Sequence, residues 1–230
     1  MIKKIIFLFK SETNIKIILL FLFQKIIKIF IKNKIKKEKV FFLELVSKLR
    51  ISKEFFSVNA YNFYKHLSSL KNNFKYLEIG SFEGGSAIFV SNRFKESKIF
   101  CVDNWLKTED GYSNLDFNEI EKNFDFNIKN YKNIIKIKKT IDNFFLSNTQ
   151  MFDVIYVDGY HKSSQVFYDC INSWKCLNLN GILICDDYIW NHYSEIKNNP
   201  CFGVNKFLKT LNNRYKILKI SNSQIFLQKT

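Results

Sequence analysis

Lys75 to Val90, KYLEIGSFEGGSAIFV, decides the fold: three of the chain's seven glycines fall within its central hexapeptide, Gly80 to Gly85. Apolar residues run up to Ile79, turn chemistry follows, and Ala87, Ile88 and Val90 then recur at helical spacing. The pattern predicts a strand, a tight loop and a helix. Glycine lets the backbone turn sharply and approach a ligand, and the helix behind it offers free N–H groups to a polar or anionic group. The segment therefore reads as a cradle for a nucleotide-type cofactor.

Working outward, Lys98 to Val102 (KIFCV) reads as a second buried strand ending on Asp103, 23 residues after Gly80. An acid there is placed to accept hydrogen bonds from the ribose hydroxyls of an adenosine cofactor. That device serves nicotinamide and sulfonium cofactors alike. Met151 to Tyr160 (MFDVIYVDGY) predicts a strand ending at Asp158, followed by a helix with Val166, Phe167, Cys170, Ile171, Trp174 and Leu177 on one face. Gly181 to Cys185 (GILIC) has the continuous apolar character of a strand buried on both faces and ends on Asp186 and Asp187. Parallel neighbours lie about 5 Å apart. Asp158, Asp186 and Asp187 are thus expected to converge, and clustered acids call for a proton or a hard divalent cation such as Mg²⁺.

Together LEIGSFEGGSA, CVDNW, FDVIYVDGYH, GILICDDY and GVNKFL resemble the class I S-adenosylmethionine (SAM) methyltransferases of the macrocin and mycinamicin sugar O-methyltransferase type, over about residues 61–227. Cephalosporin-hydroxylase-like and catechol O-methyltransferase-like proteins are its wider relatives. The resemblance implies an α/β, Rossmann-like fold with a seven-stranded, mostly parallel sheet. It implies that Glu78, Gly80, Ser81, Gly84, Gly85 and Ser86 bind the methionine portion of SAM, that Asp103 binds its ribose, and that Ile141 and Asp142 contact its adenine. It also assigns Mg²⁺ to Asp158, Asp186 and Asp187. The chain departs from the family at Asn178-Leu179-Asn180-Gly181, where a Pro-Gly-Gly turn is usual, and at Tyr160, where a small residue is usual.

The expected reaction is methyl transfer to a hydroxyl of a sugar or other small metabolite, a glycan precursor included, with the metal acidifying that hydroxyl. His161 is the first candidate for general base, its ordinary pKa lying near operating pH, and Asp158 is the second. A metal-independent methyltransferase, a nicotinamide oxidoreductase and a non-catalytic cofactor-binding protein are the alternatives. Residues 105–114 and the loop from Asp186 to Pro200, which carries Tyr188, Trp190, His192 and Tyr193, are expected to shape the acceptor pocket.

The net charge of +15 is uneven. Residues 1–53 hold 14 Lys+Arg against 3 Asp+Glu, whereas residues 54–230 hold 22 against 18. An excess outside the catalytic region argues against nucleic acid as partner. Residues 1–37 are expected to form a basic amphipathic helix, with Lys25, Lys28, Lys32 and Lys36 on one side and Ile and Phe opposite. Its longest uncharged run is too short to cross a bilayer. An anionic membrane surface, a partner subunit in an oligomer, or a signal peptide without a cleavage site are its readings, and the first makes the chain cytoplasmic and peripheral to the inner face of the membrane. Residues 38–74 read as a helical bridge and 75–230 as the methyltransferase domain, closed by a hairpin of Tyr215 to Ile220 and Gln224 to Leu227. The five cysteines show no metal-type pairing and read as reduced core thiols.

Overall fold

A computed structural model describes residues 1–107, 115–221 and 223–230. Seven strands, β1 (Lys75–Ile79), β2 (Lys98–Asp103), β3 (Ile134–Lys138), β4 (Phe152–Val157), β5 (Leu177–Cys185), β6 (Tyr215–Ile220) and β7 (Ile225–Lys229), form one sheet in the order β3-β2-β1-β4-β5-β7-β6. The first five run parallel. β7 lies antiparallel between β5 and β6, as the hairpin reading expects, although Asn222 at its tip is outside the described residues.

Alternation along the central strands divides the core into two layers, because successive strand side chains point to opposite faces. Tyr76, Val154, Tyr156 and Ile184 face α3 (Lys32–Val46), α4 (Ala60–Leu67), α5 (Gly85–Arg93) and α6 (Phe117–Ile128). Leu77, Ile155, Val157 and Leu183 face α1 (Ile2–Lys10), α2 (Ile15–Phe30), α7 (Ile141–Ser147), α8 (Ser163–Lys175) and α9 (Pro200–Thr210). All five cysteines are buried free thiols.

The carboxyl ends of β1, β4 and β5 are kept in step by backbone bonds beyond the strands: Asp158 N donates to the Ile79 carbonyl at 2.8 Å and Asp186 N to the Val157 carbonyl at 2.9 Å. Gly80 turns away from β1 at φ +81°, and a Cβ on it would lie 2.1 Å from the Asp158 carbonyl oxygen. Only glycine satisfies both constraints.

Two local features differ from the sequence reading. Asn178 to Gly181 is part of β5, not a turn before it: Asn180 takes φ +64° where the register between β4 and β5 shifts. The N-terminal 37 residues form no single helix but α1, α2 and the start of α3, with breaks before Asn14, which caps α2, and at Ile31. Phe7, Leu8, Ile17, Ile18 and Phe21 join the second layer of the core. Gln24 Oε1 accepts from Ile220 N at 2.9 Å, and Asn205 Nδ2 donates to the Ser11 carbonyl and Thr13 Oγ1, both at 2.8 Å. These buried bonds fasten α1 and α2 to α9 and β6.

Gly80→Ala is expected to destabilise the chain by more than about 3 kcal/mol, through backbone overlap and a strained φ. Gly85→Ala, whose Cβ would meet Phe42 at an ordinary 3.5 Å, is expected to stay within about 1 kcal/mol of the parent. Thermal and denaturant unfolding of the two variants checks the contrast.

Candidate active site

A cavity of about 480 Å³ opens over the carboxyl ends of β1, β2, β4 and β5. That size suits a cofactor-scale ligand. Its lining joins the glycine loop, with Gly80, Ser81, Gly85 and Ser86, to Asp158, His161, Asp186, Asp187 and Trp190. The segment from Ile51 to Asn59 and Phe42 of α3 close one side, and Asp103, Leu106, Phe117 and Ile141 the other.

The glycine loop is held from both sides. Asp103 Oδ2 accepts from the backbone N–H groups of Ser81 at 2.9 Å and Phe82 at 3.1 Å, while its Oδ1 accepts from Trp105 N at 2.8 Å. Burial raises the Asp103 pKa against the pull of those N–H donors. Trp105 is itself buried and donates its indole N–H to the Phe82 carbonyl at 2.9 Å. The remainder of its loop, residues 108–114, lies outside the described residues. Glu83 is buried on the other side of the loop, where Oε2 accepts from Ser52 N at 2.7 Å and Oε1 from Asn123 Nδ2 at 2.9 Å. The loop is thereby tied to the helical cap and to α6.

Glu78 lies fully buried beneath the loop and accepts from the Tyr76 hydroxyl at 2.8 Å. Burial pushes its carboxyl up to about 8, opposed by the hydroxyls of Tyr76, Ser86 and Ser81. Glu78 does not itself line the cavity, and its Oε1 is buried without a hydrogen-bond partner among the described residues. Gly84 does not line the cavity; at φ +84° it is the N-cap of α5, and a Cβ on it would lie 3.1 Å from the Phe124 ring. Asp142 is exposed on the first turn of α7 and receives Gln165 Nε2 at 3.4 Å, whereas its neighbour Ile141 reaches the cavity.

In the same cavity, one ligand atom from each of Asp158, His161 and Asp187 falls within 4.8 Å of the other two. His161 Nε2 is 3.0 Å from Asp187 Oδ2 and 3.8 Å from Asp158 Oδ1. Asp187 reaches this point because it adopts φ +51°, which swings its side chain back from the end of β5. The expected trio of Asp158, Asp186 and Asp187 is therefore not the set that converges. Asp186 also lines the cavity, but its carboxylate is engaged by the protein: Oδ2 accepts from Gln224 Nε2 at 2.8 Å and from the Tyr156 hydroxyl, while Oδ1 accepts from Asp187 N at 2.7 Å.

Tyr156 also donates to Asp158 Oδ2 at 2.8 Å. The Tyr156 hydroxyl thus stands between the carboxylates of Asp158 and Asp186. Burial, with Asp158 and Asp187 alongside, pushes the Asp186 carboxyl well above the usual carboxylate range, against the pull of Tyr156 and Gln224. Tyr156 and Gln224 are the functional residues that sequence reasoning passes over. Tyr156 shares a strand face with Asp158 by the two-residue period, a signal present in IYVD; Gln224 at the hairpin carried none. Trp190 stands edge-on to His161 at 4.9 Å and stacks on His192 at 4.6 Å, giving the wall an aromatic surface. Tyr61 and Tyr64 are not among the lining residues.

Residues 77–188 match a family model described as a methyltransferase domain. Among curated proteins none matches the chain by sequence. Several solved structures share the fold. The MycE methyltransferase from the mycinamycin biosynthetic pathway, in complex with Mg, SAH and mycinamycin VI, is 15% identical with a TM-score of 0.58, the match covering 82% of this chain and 54% of that one. The O-methyltransferase TomG from Streptomyces achromogenes, involved in tomaymycin synthesis and in complex with SAM, is 13% identical over 85% of this chain and 98% of its own, with a TM-score of 0.56. An O-methyltransferase from Bacillus cereus in complex with SAH is 12% identical over 86% and 91%, at a TM-score of 0.54. Residues 77–188 thus carry the pattern of a methyltransferase domain, on the fold that these methyltransferase structures share.

A buried Glu78 makes stability depend on pH in a defined direction. Without cofactor, the folded chain keeps a proton on Glu78 up to about pH 8, whereas the unfolded chain releases it near 4.5. The folded state binds the extra proton across that window, so stability falls as pH rises from 4.5 to about 8. Glu78→Gln is expected to flatten this decline in melting temperature; equal slopes for variant and parent would contradict the assignment.

Proposed function

We propose that this methyltransferase moves a methyl group from SAM to a hydroxyl oxygen of a sugar or other small metabolite, with help from a divalent cation such as Mg²⁺. The observation that carries the reading is the convergence of Asp158, His161 and Asp187 in a cavity that the glycine loop also lines. Oxygen donors from two carboxylates suit a hard cation. MycE, solved with Mg, SAH and mycinamycin VI, and the O-methyltransferase TomG lend it further support.

Bound SAM supplies an electrophilic methyl group on sulfur, and a cation supplies Lewis acidity toward an acceptor hydroxyl. The chain's own residues supply the rest. Gly80, Ser81, Gly85 and Ser86 would receive the methionine portion of SAM, with Glu78 behind the loop. Asp103 would offer its carboxylate to the ribose, and Ile141 would meet the adenine. Asp158 and Asp187 would hold the cation, with Asp186, bonded to Tyr156 and Gln224, beside them. His161 takes the hydroxyl proton as the methyl group transfers, and its edge contact with Trp190 holds the ring toward the acceptor. The aromatic wall of Trp190 with Phe55 and Phe82 suits stacking on a ring-shaped acceptor. The chain is proposed to act in the cytoplasm, peripheral to an anionic membrane surface through residues 1–37.

Release of S-adenosylhomocysteine (SAH) across a panel of hydroxylated acceptors, with and without excess EDTA, tests the reading. Turnover is expected to collapse in EDTA and return with Mg²⁺. His161→Gln and Asp187→Asn are expected to lower kcat by about 10²-fold or more, with SAH affinity by calorimetry moving less than about threefold. Full turnover in EDTA would overturn the metal role, and an unimpaired His161→Gln variant would remove the base.

A further inference from the structure

We propose that the outward faces of α1 and α2 are a docking surface for an anionic lipid bilayer, entered by Ile2, Ile6, Phe9, Leu19, Phe23 and Ile26. This rests on the peripheral attachment proposed for the chain, and it assigns that attachment to a face the sequence does not single out. Steps of three and four residues align the first three side chains along α1 and the last three along α2. Phe9, Leu19, Phe23 and Ile26 are each 56–59% exposed. Among the described residues, ten of the twenty large hydrophobic side chains that are exposed lie within residues 1–30. An apolar patch so concentrated marks an interaction surface.

The opposite faces of the same helices are already committed. Ile17, Ile18 and Phe21 are buried in the core, and Gln24 is bonded to β6. Lys25 and Lys28 stand beside Lys219, which burial pushes down to about 8 with Lys65, Lys28 and Lys25 adding repulsion. The lysine side of α2 thus turns toward the sheet edge, and the Ile and Phe side turns out. α2, at 16 residues, is about 24 Å long, and among the described residues no helix is long and apolar enough to cross a membrane. A rigid helix pair with one face in the core and one apolar face outward lies flat in an interface.

Charge selects the occupant. Residues 1–37 hold ten lysines and one acid, a net +9, and the acid, Glu12, is paired with Lys209 at 2.5 Å. Lys3, Lys10 and Lys16 are exposed along the apolar stripes. A second copy would bring +9 against +9, whereas anionic headgroups neutralise the lysines as the apolar side chains enter the acyl boundary. The surface is also fixed relative to the active site. Asn205, bonded to Ser11 and Thr13, accepts from the Tyr188 hydroxyl at 2.7 Å, and Tyr188 directly follows Asp187.

Flotation of the full chain with vesicles of phosphatidylcholine alone, or mixed with phosphatidylglycerol, tests the proposal. Binding to the phosphatidylglycerol vesicles alone, weakened by salt and reduced on the order of tenfold or more by Leu19→Ser combined with Phe23→Ser, is the expected result. SAH calorimetry on the same variant, unchanged from the parent, shows that the fold is kept. Three results would overturn it: no flotation of the parent, flotation that the double substitution leaves intact, or a concentration-dependent dimer in light scattering that the substitutions abolish. Vesicle binding without methyl transfer would leave this surface standing while the catalytic reading fails.

Discussion

The close approach of Gly80 to the Asp158 backbone is the constraint on which the site depends. Where β1 and β4 run side by side, one chain leaves toward α5 and the other toward α8, and the two turns touch at a distance that no side chain tolerates. A cofactor cradle and an acidic centre, which sequence separates by more than 70 residues, thereby share one cavity. Asp103 then pins the cradle through its backbone N–H groups, and the bond between Asp158 N and the Ile79 carbonyl fixes the height of the acid. Each of these links uses backbone atoms, which places the reacting groups more tightly than side-chain packing alone.

The electrostatics of the acidic centre follow from crowding. Asp158, Asp186 and Asp187 cannot all carry charge at close quarters unless something positive or a proton lies among them. The fold eases this by giving Asp186 two donors, Tyr156 and Gln224, while burial and its acidic neighbours push its carboxyl well above the usual range. Asp158 and Asp187 remain aimed at the cavity with His161 between them. Two carboxylates and one imidazole on an aromatic wall make a centre that binds a cation and takes a proton, which is what acidifying a hydroxyl requires.

Most of the sheet was legible in the chain. Buried parallel strands read as unbroken apolar runs, so β1, β2, β4 and β5 announce themselves, and the C-terminal hairpin does so through its Ser-Asn-Ser break. Gly80, Asp103, Asp158 and Asp187 were legible because turn chemistry and strand ends mark them. The engagement of Asp186 was not, because it depends on Gln224, a residue that only the folded hairpin brings near. Glu83 likewise reads as an ordinary loop acid until Ser52 and Asn123 arrive from distant elements. In the N-terminal segment periodicity locates an amphipathic pattern but not which side meets the protein, since buried bonds from Gln24 and Asn205 decide that and both partners lie about 190 residues away.

A crystal grown with SAH and Mn²⁺ in place of Mg²⁺ measures the central claim directly, because anomalous scattering locates the ion independently of any assumed geometry. The account predicts an anomalous peak between the carboxylates of Asp158 and Asp187, with SAH seated over Gly80 in the same cavity. A peak elsewhere on the chain, no peak at full Mn²⁺ occupancy of the solvent, or SAH bound away from the glycine loop would contradict it.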